Sequence, residues 1–157
     1  MTALLSVSHR PAGPTRLLLT ARDFVGRYPE TLIALAFRFA VAVVFWRSGM
    51  TKIANWDVTV GLFDMEYMLP LLPPELGALL AASAELSMPV LLVLGLGTRF
   101  AAAVLLAMTL VIQLFVYPEN WPDHLLWGSI LIYLLTRGAG ALSLDRPIAH
   151  LLLDRTS

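Results

Sequence analysis

Four continuous apolar runs, each close to the length of a membrane-crossing helix, limit what this chain can fold into more than any other feature. A hydrocarbon core about 30 Å thick takes roughly 20 helical residues, and such runs cover residues 32–52, 75–96, 100–116 and 125–137. The last is the shortest. Its apolar stretch LLWGSILIYLL needs Pro122 and His124 on one flank and residues 138–142 on the other to reach across, which implies tilt or local thinning. The runs are continuous and none alternates, so membrane strands, which would have to close into a barrel, are a poor alternative. The expected fold is therefore all-α: an integral membrane four-helix bundle with short interfacial helices. At 58% apolar and 14% charged, the composition departs from that of soluble domains in the same direction.

The charges are unevenly spread although they sum to zero. One side of the four spans receives Arg10, Arg16, Arg22, Arg27, Arg99, Arg137, Arg146 and Arg155, and the other receives only Lys52. By the positive-inside rule both chain ends face the cytoplasm, which places the protein in the cell's inner membrane as a multi-pass protein. The opposite face collects Asp57, Asp64, Glu66, Glu75, Glu119 and Asp123. The organisation expected is a basic amphipathic arm over 1–30, a four-helix domain over 31–142 and a cytoplasmic tail over 143–157. Within the arm, Leu17, Leu18, Ala21, Phe24, Val25 and Tyr28 recur at helical spacing among arginines, as in a helix lying on an anionic leaflet. MTALLSVSHRPAGP sets its basic residues after a short apolar segment, so no cleaved leader is expected. Between the first two spans, WDVTVGLFDMEYMLPLLPP is too long for a tight turn and too apolar for a free loop. It is expected to fold back over the bundle mouth, with Trp56, Phe63 and Tyr67 as interface anchors and Pro70, Pro73 and Pro74 stopping any helix before the second span.

Ionisable residues inside such spans are costly and need partners. Counting about 1.5 Å per residue from the acidic side, Arg47 lies about 8 Å deep, Glu85 about 15 Å and Arg38 about 20 Å. Pairing of Glu85 with one of the two arginines is the expected arrangement. Arg38, Phe45, Gly49 and Lys52 share one stripe of the first helix and Arg47 lies half a turn away. Pro89, four residues after Glu85, cannot donate to the Glu85 carbonyl, so a kink beside the carboxylate is expected. Gln113, Tyr117, His124 and Trp127 stand at similar height on the last two helices and complete a polar pocket open to the acidic side.

Three pieces carry a family resemblance: SGMTKI after the arginine-bearing first span, AELSMPVLLVLGLGTRFAA, and HLLWGSILIYLLTRGAGALSLD. Over roughly residues 35–148 the chain resembles the DoxX family, four-helix membrane modules associated with quinone-linked sulfur oxidation or with complexes that handle thiol and oxidative stress. The resemblance points to Gly49, Lys52, Glu85, Arg99 and His124, and implies a membrane subunit of a redox-related complex. It supplies no motif for a covalently bound cofactor. The chain has no cysteine and so performs no thiol exchange and ligates no iron–sulfur cluster itself. A quinone is the cofactor expected, a soluble or membrane oxidoreductase the protein partner, and no nucleic acid is implied.

Other readings compete. Glu85 with an arginine also suits a purely structural ion pair, Lys52 at the membrane edge suits ordinary snorkelling, and Arg99 with Thr98 suits a cytoplasmic turn. Haem lacks a second histidine on the right side, since His9 and His150 belong opposite His124. Met50, Met65 and Met68 with His124 are weak candidates for a copper(I) site, with core packing the plainer explanation. A noncatalytic assembly anchor and a small metal-handling transporter are the alternative functions.

Overall fold

The computed structural model describes residues 30–145, and every regular element among them is helical. Five α-helices follow one another: α1 (Glu30–Ala54), α2 (Trp56–Leu62), α3 (Pro74–Leu94), α4 (Thr98–Val111) and α5 (Trp121–Arg137). Two π-helical turns extend them, Phe63–Tyr67 after α2 and Ile112–Val116 after α4, and a 3-10 turn, Pro118–Asn120, leads into α5. α1, α3 and the continuous stretch Thr98–Val116 are each long and apolar enough to cross a membrane. α5, with 17 residues, is about 25 Å long and completes the four-helix bundle beside α4 and α1. Apart from Glu30, the expected N-terminal arm lies outside the described residues, as does the tail beyond Asp145.

Each reversal is built from groups that satisfy the free backbone ends of the helices. At the end of α1, the Thr59 hydroxyl bonds the carbonyls of Lys52 and Asn55 at 2.8 and 3.1 Å, and the Asn55 side chain accepts from the Val58 N–H at 3.3 Å. The chain thus turns back at once into α2 and lies across the bundle mouth, as its apolar character predicts. Pro74 then opens α3 at the first helical position, where its missing N–H costs nothing. At the other end of α3, Gly95 takes a left-handed conformation (φ 67°) and the N–H groups of Gly95 and Leu96 return to the carbonyls of Leu92 and Leu91. α3 runs unbroken through Pro89, so the expected kink does not interrupt the helix.

α4 is capped from far away in sequence. The Asp145 carboxylate accepts from the N–H groups of Gly97 at 2.6 Å and Thr98 at 3.2 Å, while Leu144 and Asp145 donate to the carbonyls of Leu94 and Gly95. The segment after α5 therefore lies across the α3–α4 turn. Arg38 locks it there. Its guanidinium, 1% exposed, bonds the carbonyls of Leu92 (2.6 Å), Val93 (2.6 Å), Ala139 (3.1 Å) and Leu142 (2.7 Å). The exposed carbonyls at a helix C-terminus carry partial negative charge, so a cation is well placed among them. Arg38 thus ties α1 to the end of α3 and to the segment after α5, and it is not the partner of Glu85.

The core between these ends is made of Ala34, Val41, Ala42, Phe45, Leu92, Ala101, Ala102, Leu105, Leu131 and Leu134. Alanines at the interfaces let helix backbones approach closely, which is how bundles in lipid gain packing energy. The two ends of the described chain meet at the end of the bundle that holds Arg99 and Arg137, where the Ala141 N–H bonds the Thr31 hydroxyl at 3.1 Å. We call this the basic end and the opposite one, with Lys52 and the acidic loops, the acidic end.

Candidate functional site

α1 and α3 form the most extensively packed helix pair, and their closest approach sets up the site. At Gly49 a Cβ atom would stand 3.0 Å from the Glu85 Cβ and 3.0 Å from the Leu86 side chain, so the lack of a side chain there lets Glu85 reach α1. The Glu85 carboxyl, 2% exposed, accepts from the Ser48 hydroxyl at 3.0 Å and from the Lys52 ammonium at 2.9 Å on Oε1. Lys52 Nζ also stands 2.8 Å from Oε2, and it donates to the Ser48 Oγ at 3.0 Å. Replacing Gly49 by valine should wedge the two helices apart; overpacking of this kind costs about 1–3 kcal/mol, read as a lower unfolding midpoint in detergent with loss of the Lys52–Glu85 pair.

An ammonium has three donors, and two are used, on Ser48 and on Glu85 Oε1. Oε2 contacts Nζ as an ion pair but receives no properly directed hydrogen bond. The Lys52 ammonium thus bridges both carboxylate oxygens and the Ser48 hydroxyl, and Oε2 is buried beneath it.

The opposite wall comes from α4, its π-turn and α5. His124, 5% exposed, sits with Nδ1 2.7 Å from Gln113 Oε1, and its ring meets Trp127 edge to face at 5.3 Å. Trp127 in turn packs edge-on against Phe45 of the core, ring centres 5.9 Å apart. Gln113 is itself fixed by donating to the Pro118 carbonyl at 2.9 Å. Over the top, the two π-turns are joined: the Tyr117 hydroxyl bonds Glu66 at 2.8 Å and the Tyr67 hydroxyl at 3.3 Å. These bonds, Tyr67 first, together with partial burial, raise the Tyr117 phenol well above its ordinary pKa. Phe63, against Tyr67 at 4.9 Å, reaches down to Gly77, where a Cβ would come within 2.9 Å of its ring.

Between the walls lies a cavity of about 580 Å³ lined by Ser48, Lys52, Glu85, Tyr117, Asn120, His124 and Trp127 and by apolar side chains such as Phe63, Leu80, Met108 and Ile112. A few converging polar groups in an apolar chamber of this size are the ordinary make-up of a small-molecule site.

The DoxX family pattern matches residues 33–118, more than half of the chain. The chain belongs to the DoxX family. The matched region runs from α1 through the π-turn that extends α4 and ends before α5, so His124 and Trp127 stand outside it, although the sequence resemblance reaches further. An uncharacterized protein of Haemophilus influenzae is 30% identical over 129 residues, an alignment covering 73% of this chain and 82% of that one. No solved structure matches the chain.

Of the residues singled out in this DoxX protein by sequence, the structure brings Lys52, Glu85, Tyr117, His124 and Trp127 to the cavity wall and sets Gln113 behind His124. Neither arginine joins them. Arg38 is buried at the basic end, and Arg47 is exposed on the far side of α1, so the expected Glu85–arginine pair is replaced by Glu85–Lys52. Two geometric facts explain this. Helical side chains lean toward the N-terminus of their helix, so Lys52 points back into the bundle toward Ser48, one turn earlier, instead of out to the membrane surface. α3 also runs antiparallel to α1, which puts Glu85 level with Ser48 and Gly49 and leaves Arg38 level with the α3 C-terminus. Arg99 lies at the basic end, its guanidinium donating to the Thr136 carbonyl at 3.3 Å. Met65 and Met68 are 75% and 70% exposed and do not line the chamber with His124. Ser48 and Asn120 were missed, and Tyr67, expected only as an interface anchor, lines the cavity as well; Ser48 could have been found by its i, i+4 spacing to Lys52 opposite a buried acid.

Proposed function

We propose that this DoxX protein is an inner-membrane subunit of a redox-related complex and that its cavity holds the headgroup of a membrane-soluble quinone. The observation that carries the reading is the cavity itself: a hydrogen-bonded ion pair on one wall, a histidine on the other, and apolar surface between. The Ser48 hydroxyl, the Lys52 ammonium and the His124 ring on the cavity wall fit the oxygens of a quinone headgroup, and the apolar lining fits its ring, so the residues present suit the group. A quinone supplies two-electron, two-proton chemistry, which a chain lacking cysteine does not supply by itself; an associated oxidoreductase exchanges the electrons. Ser48, Lys52 and Glu85 orient the headgroup, the aromatic side chains exclude water, and the compensated ion pair keeps the chamber neutral. The arginine-rich end faces the cytoplasm, so the cavity opens toward the cell exterior or periplasm.

The test is a binding titration of a short-tailed benzoquinone with the purified protein in lipid nanodiscs, together with mass spectrometry of lipids extracted from it. Stoichiometric binding is expected, weakened at least tenfold in the paired variant Lys52→Met with Glu85→Leu. Equal affinity in the paired variant, or no binding by the native protein, would overturn the reading.

A further inference from the structure

We infer that Gln113 is a positioning residue that holds His124 in the Nδ1–H tautomer, so that the cavity prefers the hydroxyl-bearing, reduced form of its quinone-class ligand over the carbonyl form. The argument starts at Pro118, whose carbonyl can only accept. The group of Gln113 that stands 2.9 Å from it is therefore the amide N–H₂, and the oxygen on the other branch is the atom 2.7 Å from His124 Nδ1. An amide oxygen cannot donate, so Nδ1 carries the proton. In the neutral ring Nε2 is then bare, and it has no hydrogen-bond partner among the described residues although His124 is 5% exposed and lines the cavity.

A bare imidazole nitrogen is an acceptor. It welcomes a hydroxyl and opposes the lone pairs of a carbonyl. A site built to bond a hydroxyl discriminates against an analogue lacking it, because its own polar atom is left unpaired. The charged and titratable groups sharing the cavity are Lys52 from α1, Glu85 from α3, Tyr67 from the first π-turn and Tyr117 beside the second. Lys52 and Glu85 compensate each other at 2.8 Å, and the Tyr117 hydroxyl is engaged with Glu66 and Tyr67. Asp123, next to His124 on α5, is exposed. The tautomer is thus set locally, by Gln113.

The ligand preference rests on the quinone reading of the cavity; the tautomer does not, and the experiment separates them. Protein carrying ¹⁵N-histidine gives three pairs of ring nitrogen signals, from His9, His124 and His150, and subtraction of a His124→Phe spectrum isolates the pair of interest. At a pH where the ring is neutral, Nδ1 should show the protonated signature and Nε2 the bare one. Gln113→Leu should release the ring to a mixture of tautomers, and Gln113→Glu, which keeps an oxygen at Nδ1, should restore the proton there. In parallel, a short-tailed benzoquinol should bind native protein about tenfold more tightly than the matching benzoquinone, and Gln113→Leu should remove that preference. A native spectrum with the proton on Nε2, or a preference unchanged in Gln113→Leu, overturns the proposal. The expected tautomer with neither ligand form bound overturns the quinone reading and with it the ligand preference.

Discussion

Lys52→Met lowers the stability of the folded bundle by about 3–5 kcal/mol, the usual consequence of leaving a buried charge without its partner. Glu85 is 2% exposed and receives its neutralisation from one ammonium, helped by the Ser48 hydroxyl. Adding Glu85→Leu to the same chain returns stability to within about 1 kcal/mol of native, since a well-packed apolar pair replaces both charges without the cost of taking them out of water. The measurement is thermal unfolding in one detergent for the single and paired variants. If the single variant melts with the native protein, Lys52 does not compensate the carboxylate. If the paired variant stays as unstable as the single one, the deficit comes from lost lysine packing and not from an orphaned charge.

Arg38→Leu has an effect of similar size, about 3–5 kcal/mol, at the other end of the molecule. The Leu92 carbonyl retains the Gly95 N–H, but those of Val93, Ala139 and Leu142 lose the guanidinium that bonds them. Leaving such a group unpaired costs about 1–3 kcal/mol. Arg38→Lys recovers little of this, because three donors on one nitrogen cannot span carbonyls that a planar guanidinium reaches from three separate nitrogens. Limited proteolysis of the 138–145 segment provides a second measurement: the segment should be cut faster in both variants than in the native chain. Full protection in Arg38→Leu would assign the clamp to Asp145 alone.

The helices were readable because hydrocarbon thickness imposes a length that sequence displays directly. The spans expected over 32–52, 75–96, 100–116 and 125–137 correspond to α1, α3, α4 with its π-turn, and α5, and the fold-back between the first two spans is where the apolar loop predicts it. The pairing of charges was not readable by depth alone. Counting residues places Cα atoms, whereas Lys52 acts through a long side chain directed a turn back along its own helix, and Arg38 acts on carbonyls, which leave no mark in a residue pattern. Gly95 and Asp145 belong to the GLGT and GALSLD stretches that carry the family resemblance, and the structure gives these motifs a mechanical meaning as one clamp around Arg38. The linkage of Gln113 to His124 was similarly hidden. Sequence put them at one height, but the tautomer follows only from the carbonyl of Pro118.

The Arg38 clamp also imposes an order on biosynthesis. Two of its acceptors lie 101 and 104 residues further along the chain, so the first helix enters the bilayer carrying a cation whose full complement of partners is not yet translated. A nascent chain halted before Ala139 has only the Leu92 and Val93 carbonyls to offer that cation. Arg38, on the first helix, is therefore fully satisfied only when the last-made segment of the bundle is in place.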